Sequence, residues 1–115
     1  MYIAMNRFRI VKGQEAEFER VWRERDSHLS EVPGFVEFHL LRGPEAEDHT
    51  VYVSHTIWAS AEAFAGWTKS EAFRLAHANA GKGREGIYQG PPRFEGFQAV
   101  QIVRQDGTRE TLAQN

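Results

Sequence analysis

Residues 50–59, TVYVSHTIWA, decide the fold. β-Branched and aromatic side chains fall on both alternating sets of this stretch, so it reads as a central strand covered on its two faces. The chain then changes period. Ser60 has the character of an N-cap, and Glu62 stands in the first turn, where the helix dipole favours negative charge. This predicts a helix to about Trp67. Ser70, followed by Glu71, caps a second helical piece that runs to about Ala80. The unit is a strand followed by a broken helix.

Working upstream, residues 2–11 alternate. Tyr2, Ala4, Phe8 and Ile10 form an apolar set interrupted by Asn6, while Arg7 and Arg9 point the other way. Lys12-Gly13 is a turn signal. From Gln14 to His28 the spacing of Phe18, Val21, Trp22, Arg25 and Leu29 predicts a helix with one core-facing stripe. Pro33-Gly34 ends it, Phe35–Arg42 reads as a strand closed by Gly43-Pro44, and residues 45–48 are an acidic connection. Downstream, Gly81–Pro92 (GKGREGIYQGPP) reads as a flexible loop. Phe94–Arg104 is the last strand, and Asp106-Gly107 turns a short hairpin. The predicted order is β-α-β-β-α-β, an α+β, ferredoxin-like arrangement with helices on one face of an antiparallel sheet. Residues 1–105 form one domain and 106–115 a hairpin or tail. The two-sided apolar strand at 50–59 predicts that a second subunit covers the open face, giving a homodimer.

Composition removes several function classes. A net charge of −2 gives no basic footprint for nucleic acid. The chain has no cysteine, which excludes disulfides and thiolate-ligated metals or haem. MYIAMNRFRI has no apolar leader core, and no apolar run is long enough to cross a membrane, so a cytoplasmic location is expected. His28, His39, His49 and His55 show no metal-site spacing. The glycines of 81–90 lack dinucleotide-binding spacing, and there is no nucleophile elbow.

Three residues stand out, each with two readings. Asn6 lies on the inward face of the first strand, where an unpartnered amide costs about 1–3 kcal/mol. It occupies an edge position or bonds to backbone, or it aims a donor into a cavity. His77 sits at the margin of the apolar side shared with Phe73. It is a solvated histidine, or a neutral imidazole facing an apolar cleft, which suits an iron ligand. Trp67 is a core residue or the wall of a flat pocket.

MNRFRIVKGQEAEFERVW (5–22), PGFVEFHLL (33–41) and WASAEAFAGWTKSEAFRLAH (58–77) together resemble the IsdG-type heme-degrading monooxygenases of the antibiotic biosynthesis monooxygenase superfamily. The resemblance covers residues 2–80 and is looser beyond them. The family's site consists of an asparagine on the first strand, a tryptophan and a proximal histidine; these match Asn6, Trp67 and His77. The resemblance implies a homodimer whose two sheets form an α/β barrel, with heme as both substrate and cofactor. His77 would ligate the iron, Asn6 would hydrogen-bond the oxygen ligand, and Trp67 would distort the macrocycle. Apart from the resemblance, Lys82 and Arg84 give the 81–92 loop a positive charge that either pairs with the heme propionates at the pocket mouth or is solvated as in an ordinary connecting loop, and Phe73, on the side of the helix shared with His77, is a further heme contact. O2 and an external electron donor or reductase would be needed, and ring opening would release iron. Two other readings stay open: a cofactor-independent monooxygenase acting on a quinol or polyketide phenol, and a non-catalytic heme carrier or sensor.

Overall fold

In β3 (His49–Trp58) side chains alternate strictly between two environments: Thr50, Tyr52, Ser54, Thr56 and Trp58 are buried, and the residues between them are half-buried. This is a computed structural model, and it describes residues 1–25, 28–71, 73–74 and 86–111. β1 (Tyr2–Val11) lies at the centre, antiparallel to β3 on one side and to β4 (Arg93–Gln98) on the other. β2 (Phe35–Glu45) flanks β3, giving the order β2-β3-β1-β4. With α1 (Glu15–Glu24) and α2 (Ala61–Thr68) this is the expected ferredoxin-like fold. Among the described residues no helix is long and apolar enough to cross a membrane.

Three boundaries differ from those expected, each for a physical reason. β2 continues through Gly43-Pro44 to Glu45 because it is an edge strand. Its register shifts between Arg42 and Glu45, and that irregularity absorbs the proline. α1 stops at Glu24, with Arg25 extended, and the chain resumes in a 3₁₀ turn over Leu29–Glu31 entered through a left-handed His28 (φ 57°). The last strand divides. Tyr2 pairs with Gln98, and one last backbone bond, from the Ala99 N–H to the Met1 carbonyl at 2.9 Å, ends the pairing with β1. β5 (Gln101–Val103) then pairs with β6 (Arg109–Thr111), its turn made by Asp106, which accepts from the Thr108 N–H at 2.9 Å, and by Gly107 at φ 90°.

The core has two parts. Phe8, Ile10, Tyr52 and Ile87 pack with Phe18 of α1; Ala4, Leu29 and Trp58 lie under α2. Full burial of Ile10 and Phe18 stabilises the fold by about 2–3 kcal/mol each. The described part of the loop expected over 81–92 is tied to the first strand. Ile87 is buried, its carbonyl accepts from Val11 N–H at 2.8 Å, and Gln89 N–H donates to Arg9 at 2.8 Å. The apolar pair Ile87-Tyr88 outweighs the surrounding glycines: Tyr88 meets Phe18 edge-on at 5.8 Å.

Gly34 sets the approach of α2 to the sheet. Its φ is +85°, and a Cβ there would lie 2.4 Å from the Ala63 Cβ. Gly34→Ala is therefore expected to cost about 2–4 kcal/mol from backbone strain and overpacking. Urea unfolding should show a lower midpoint with an unchanged slope, and an unshifted midpoint would contradict this role.

Under α1 the Tyr52 hydroxyl donates to the Glu19 carboxylate, which also pairs with Arg42. Burial, then the neighbouring carboxylate, pushes Tyr52 up to about 12. A raised folded-state value makes this contribution complete below the ordinary tyrosine range and lost as pH rises through it. Stability should thus fall by about 2–3 kcal/mol between about pH 10 and 12. Denaturant titrations across that range check this, and Tyr52→Phe should flatten the dependence.

Candidate active site

Asn6 is on the central strand, not an edge. Its register partners are Ser54 on β3 and Phe94 on β4. The side chain lines a cavity of about 550 Å³, within the range of ligand sites. Among the described residues the amide has no recorded hydrogen-bond partner. Ser54 and Thr56, buried on the neighbouring strand, line the same cavity, and the Thr56 hydroxyl donates to the Ala4 carbonyl at 3.3 Å. Together these residues form a polar floor.

The walls are aromatic. Ser60 fixes the start of α2 by accepting the Ala63 N–H on its Oγ at 3.1 Å. Phe64 and Trp67, one turn apart, then face Trp58 at ring distances of 5.8 and 5.4 Å. Ser70 secures the exit from α2: its hydroxyl donates to the Trp67 carbonyl at 2.6 Å and accepts the Phe73 N–H at 3.1 Å. The Phe73 ring then meets Trp67 edge-on at 4.8 Å. Two nearly parallel stacks complete the lining, Trp22 on Phe38 (5.6 Å, 12°) and Phe64 on Phe94 (5.6 Å, 8°). Arg25 also lines the cavity, its guanidinium 4.6 Å from the Trp22 ring centre.

Of the residues singled out in the sequence, the fold brings Asn6, Trp67 and Phe73 to one cavity. His77, Lys82 and Arg84 lie outside the described residues. Among the described residues no group of three or more histidine, cysteine or carboxylate side chains could hold a metal ion. Ser54, Thr56, Phe38, Phe94 and Arg25 were not recognised as site residues in the sequence. A signal for two of them existed: Ser54 and Thr56 are polar residues on the buried alternation of β3. Trp22 and Arg25 carried the helical stripe, but a stripe facing a cavity reads like one facing a core.

The arrangement is a narrow apolar slot with flat walls, a polar floor and a cation among its lining residues. It suits a planar, largely apolar ligand that carries anionic groups. The antibiotic biosynthesis monooxygenase family matches residues 1–79. Heme-degrading monooxygenases from Bacillus thuringiensis and Bacillus cereus are 32% identical over 85 residues, covering 70% of this chain and 75% of theirs. The structure of MhuD, a heme degrader from Mycobacterium tuberculosis with two hemes bound in its active site, is similar at a TM-score of 0.69 with 28% identity. The match covers 90% of this chain and 100% of that one. SnoaB, a cofactor-independent oxygenase from Streptomyces nogalater, is similar at 0.62 with 28% identity, over 90% and 97%. The chain belongs to the antibiotic biosynthesis monooxygenase family and within it is similar to the heme-degrading members.

Proposed function

We propose that the cavity binds heme and that the chain is a heme oxygenase-type monooxygenase, opening the porphyrin ring with O2 and electrons from an external donor and releasing iron. The observation that carries this reading is the Asn6 amide, free of hydrogen-bond partners among the described residues, on the floor of a slot with flat aromatic walls. Bound heme supplies the iron at which O2 is activated. The chain supplies the rest. Aromatic faces exclude water and orient the ring. Trp67, held against Trp58 and Phe73, is a rigid wall that presses on the macrocycle. Asn6 would offer its amide donor to the reacting oxygen. Arg25 is a cation suited to a propionate, a role also proposed for Lys82 and Arg84. His77, four residues beyond Phe73 in the chain, is the proposed iron ligand. A cytoplasmic setting, where cellular reductants are at hand, fits this use.

The likeness to SnoaB supports a second reading, a cofactor-independent oxygenase acting on a planar phenol. Asn6 and Ser54 would then hold the substrate's oxygen atoms, and no iron ligand would be needed. Hemin separates the two readings. In the heme-degrading reading the protein gives a histidine-ligated Soret band and loses it with ascorbate under air. His77→Ala should abolish that band. Asn6→Ala should retain heme but degrade it about tenfold more slowly or worse. A wild-type protein that leaves hemin unchanged under these conditions overturns the assignment.

We also propose a homodimer in which the face of the sheet away from the helices is covered by a second copy. Ile3, Met5, Val51, Val53 and Ile57 lie there half-buried, with Leu41 43% and Phe97 49% exposed. An apolar surface of this extent in water favours association. Sedimentation at micromolar concentration should give about twice 13.2 kDa, and a persistent monomer would contradict the proposal.

A further inference from the structure

The sheet carries a second cluster of chemically active side chains, on the face opposite the cavity. His39 and His55 are direct cross-strand partners on β2 and β3. They alternate with Phe38, Ser54 and Thr56, which line the cavity, so the imidazoles point the other way. Their Nδ1 atoms face one another at 3.2 Å, with the rings tilted by 40°. The Nε2 of His39 meets the Glu37 carboxylate at 2.6 Å.

We propose that His39 and His55 are a chelating pair for a divalent transition ion of the Zn²⁺ class, with Glu37 as the group that orients His39. Three observations agree. First, two nitrogens bound at about 2.0–2.1 Å to a tetrahedral ion stand about 3.3 Å apart, close to the spacing already present. Second, the Glu37 carboxylate stands 2.6 Å from Nε2 of His39, the ring nitrogen remote from the pair, and so favours the tautomer with its proton on Nε2 and its lone pair on Nδ1. A carboxylate beside the remote nitrogen of a metal-bound histidine commonly orients the ring by accepting that proton's hydrogen bond. Third, the pair is set by the ladder of two adjacent strands, so little ordering remains to oppose binding. Without metal, the Nδ1 atoms share a hydrogen bond whose donor depends on the two tautomers. On binding, each neutral ring carries its proton on Nε2, and both Nδ1 lone pairs turn to the ion. No third protein ligand of this kind stands among the described residues, so water or a second copy of the chain fills the remaining positions. The site owes nothing to heme and does not rest on the proposed oxygenase reaction.

The test is titration of the purified, heme-free protein with ZnCl2 at neutral pH, followed by calorimetry and by thermal unfolding. The expected result is saturable binding of at most one ion per chain, with a Tm that rises with Zn²⁺ concentration, since an ion that binds only the folded state stabilises it by mass action. His39→Ala and His55→Ala should each abolish the saturable binding and the Tm rise. Glu37→Gln should weaken binding by about tenfold or more while the two histidines remain. His49→Ala, at the half-buried start of β3, should change neither reading. Cu²⁺ in place of Zn²⁺ should give an electron paramagnetic resonance spectrum split by two nitrogens. Absence of saturable binding overturns the proposal, and so does binding that survives loss of either His39 or His55. Circular dichroism of the variants without metal separates loss of the site from loss of the fold.

Discussion

Trp58, fully buried at the end of β3, ties the sheet to α2, and the site depends on that attachment. The indole meets Phe35 at 5.7 Å, Phe64 at 5.8 Å and Trp67 at 5.4 Å. Its Nε1 has no hydrogen-bond partner among the described residues, a cost of about 1–3 kcal/mol. Burial of roughly 200 Å² of indole contributes about 5 kcal/mol in the other direction, so packing wins. α2 is only two turns long and is not stable alone. Its position is borrowed from Trp58, from the Ser60 cap and from the close approach that Gly34 permits. Trp67 becomes a rigid wall because it stands at the end of an element clamped at both ends.

The floor follows from a different constraint. β1 is paired along both edges, so its backbone is satisfied and its side chains are fixed by the pleat. Asn6 cannot turn to a strand edge, and its amide is delivered to the cavity with its neighbours Ser54 and Phe94 already in register. A bulge in β2 sets the third wall. Phe35 pairs with Trp58 but Glu37 with Ile57, so the parity of β2 changes between them. Phe38 consequently faces the cavity and stacks on Trp22. Without the bulge His39 would take that direction.

That bulge also marks where reading the sequence stopped. The element order, the Ser60 and Ser70 caps, the Gly34 turn and the inward Asn6 were legible because each rests on local periodicity or local steric need. The end of β4 was not, because it is decided by where β1 begins, almost a hundred residues earlier. The hold of Ile87 on β1 was hidden by glycines whose local freedom is overridden by tertiary burial. The His39–His55 pair was invisible for the same kind of reason: sixteen positions separate the two, and only the β2 register brings them face to face. Trp22 and Arg25 showed the right period, but period reports a buried direction and not whether atoms or empty space lie there.

The two-residue period of the sheet gives the molecule two chemically independent surfaces. Even positions of β1 and β3 build the cavity and the core; odd positions build the open face. Val53 and His55 flank Ser54 in sequence, yet they meet different surroundings. A change at an odd position alters the open face without touching the slot, whereas a change at Ser54 or Thr56 alters the slot without touching the open face. The separation is not complete. A second copy seated on the open face would load the same backbone that carries Asn6, so that pressing the sheets together stiffens the floor of the cavity. A shared sheet is rigid along its hydrogen bonds and bends most easily across its strands. Covering one face removes that bending mode, and the geometry of Asn6 against Trp67 is then held from both sides of a single layer.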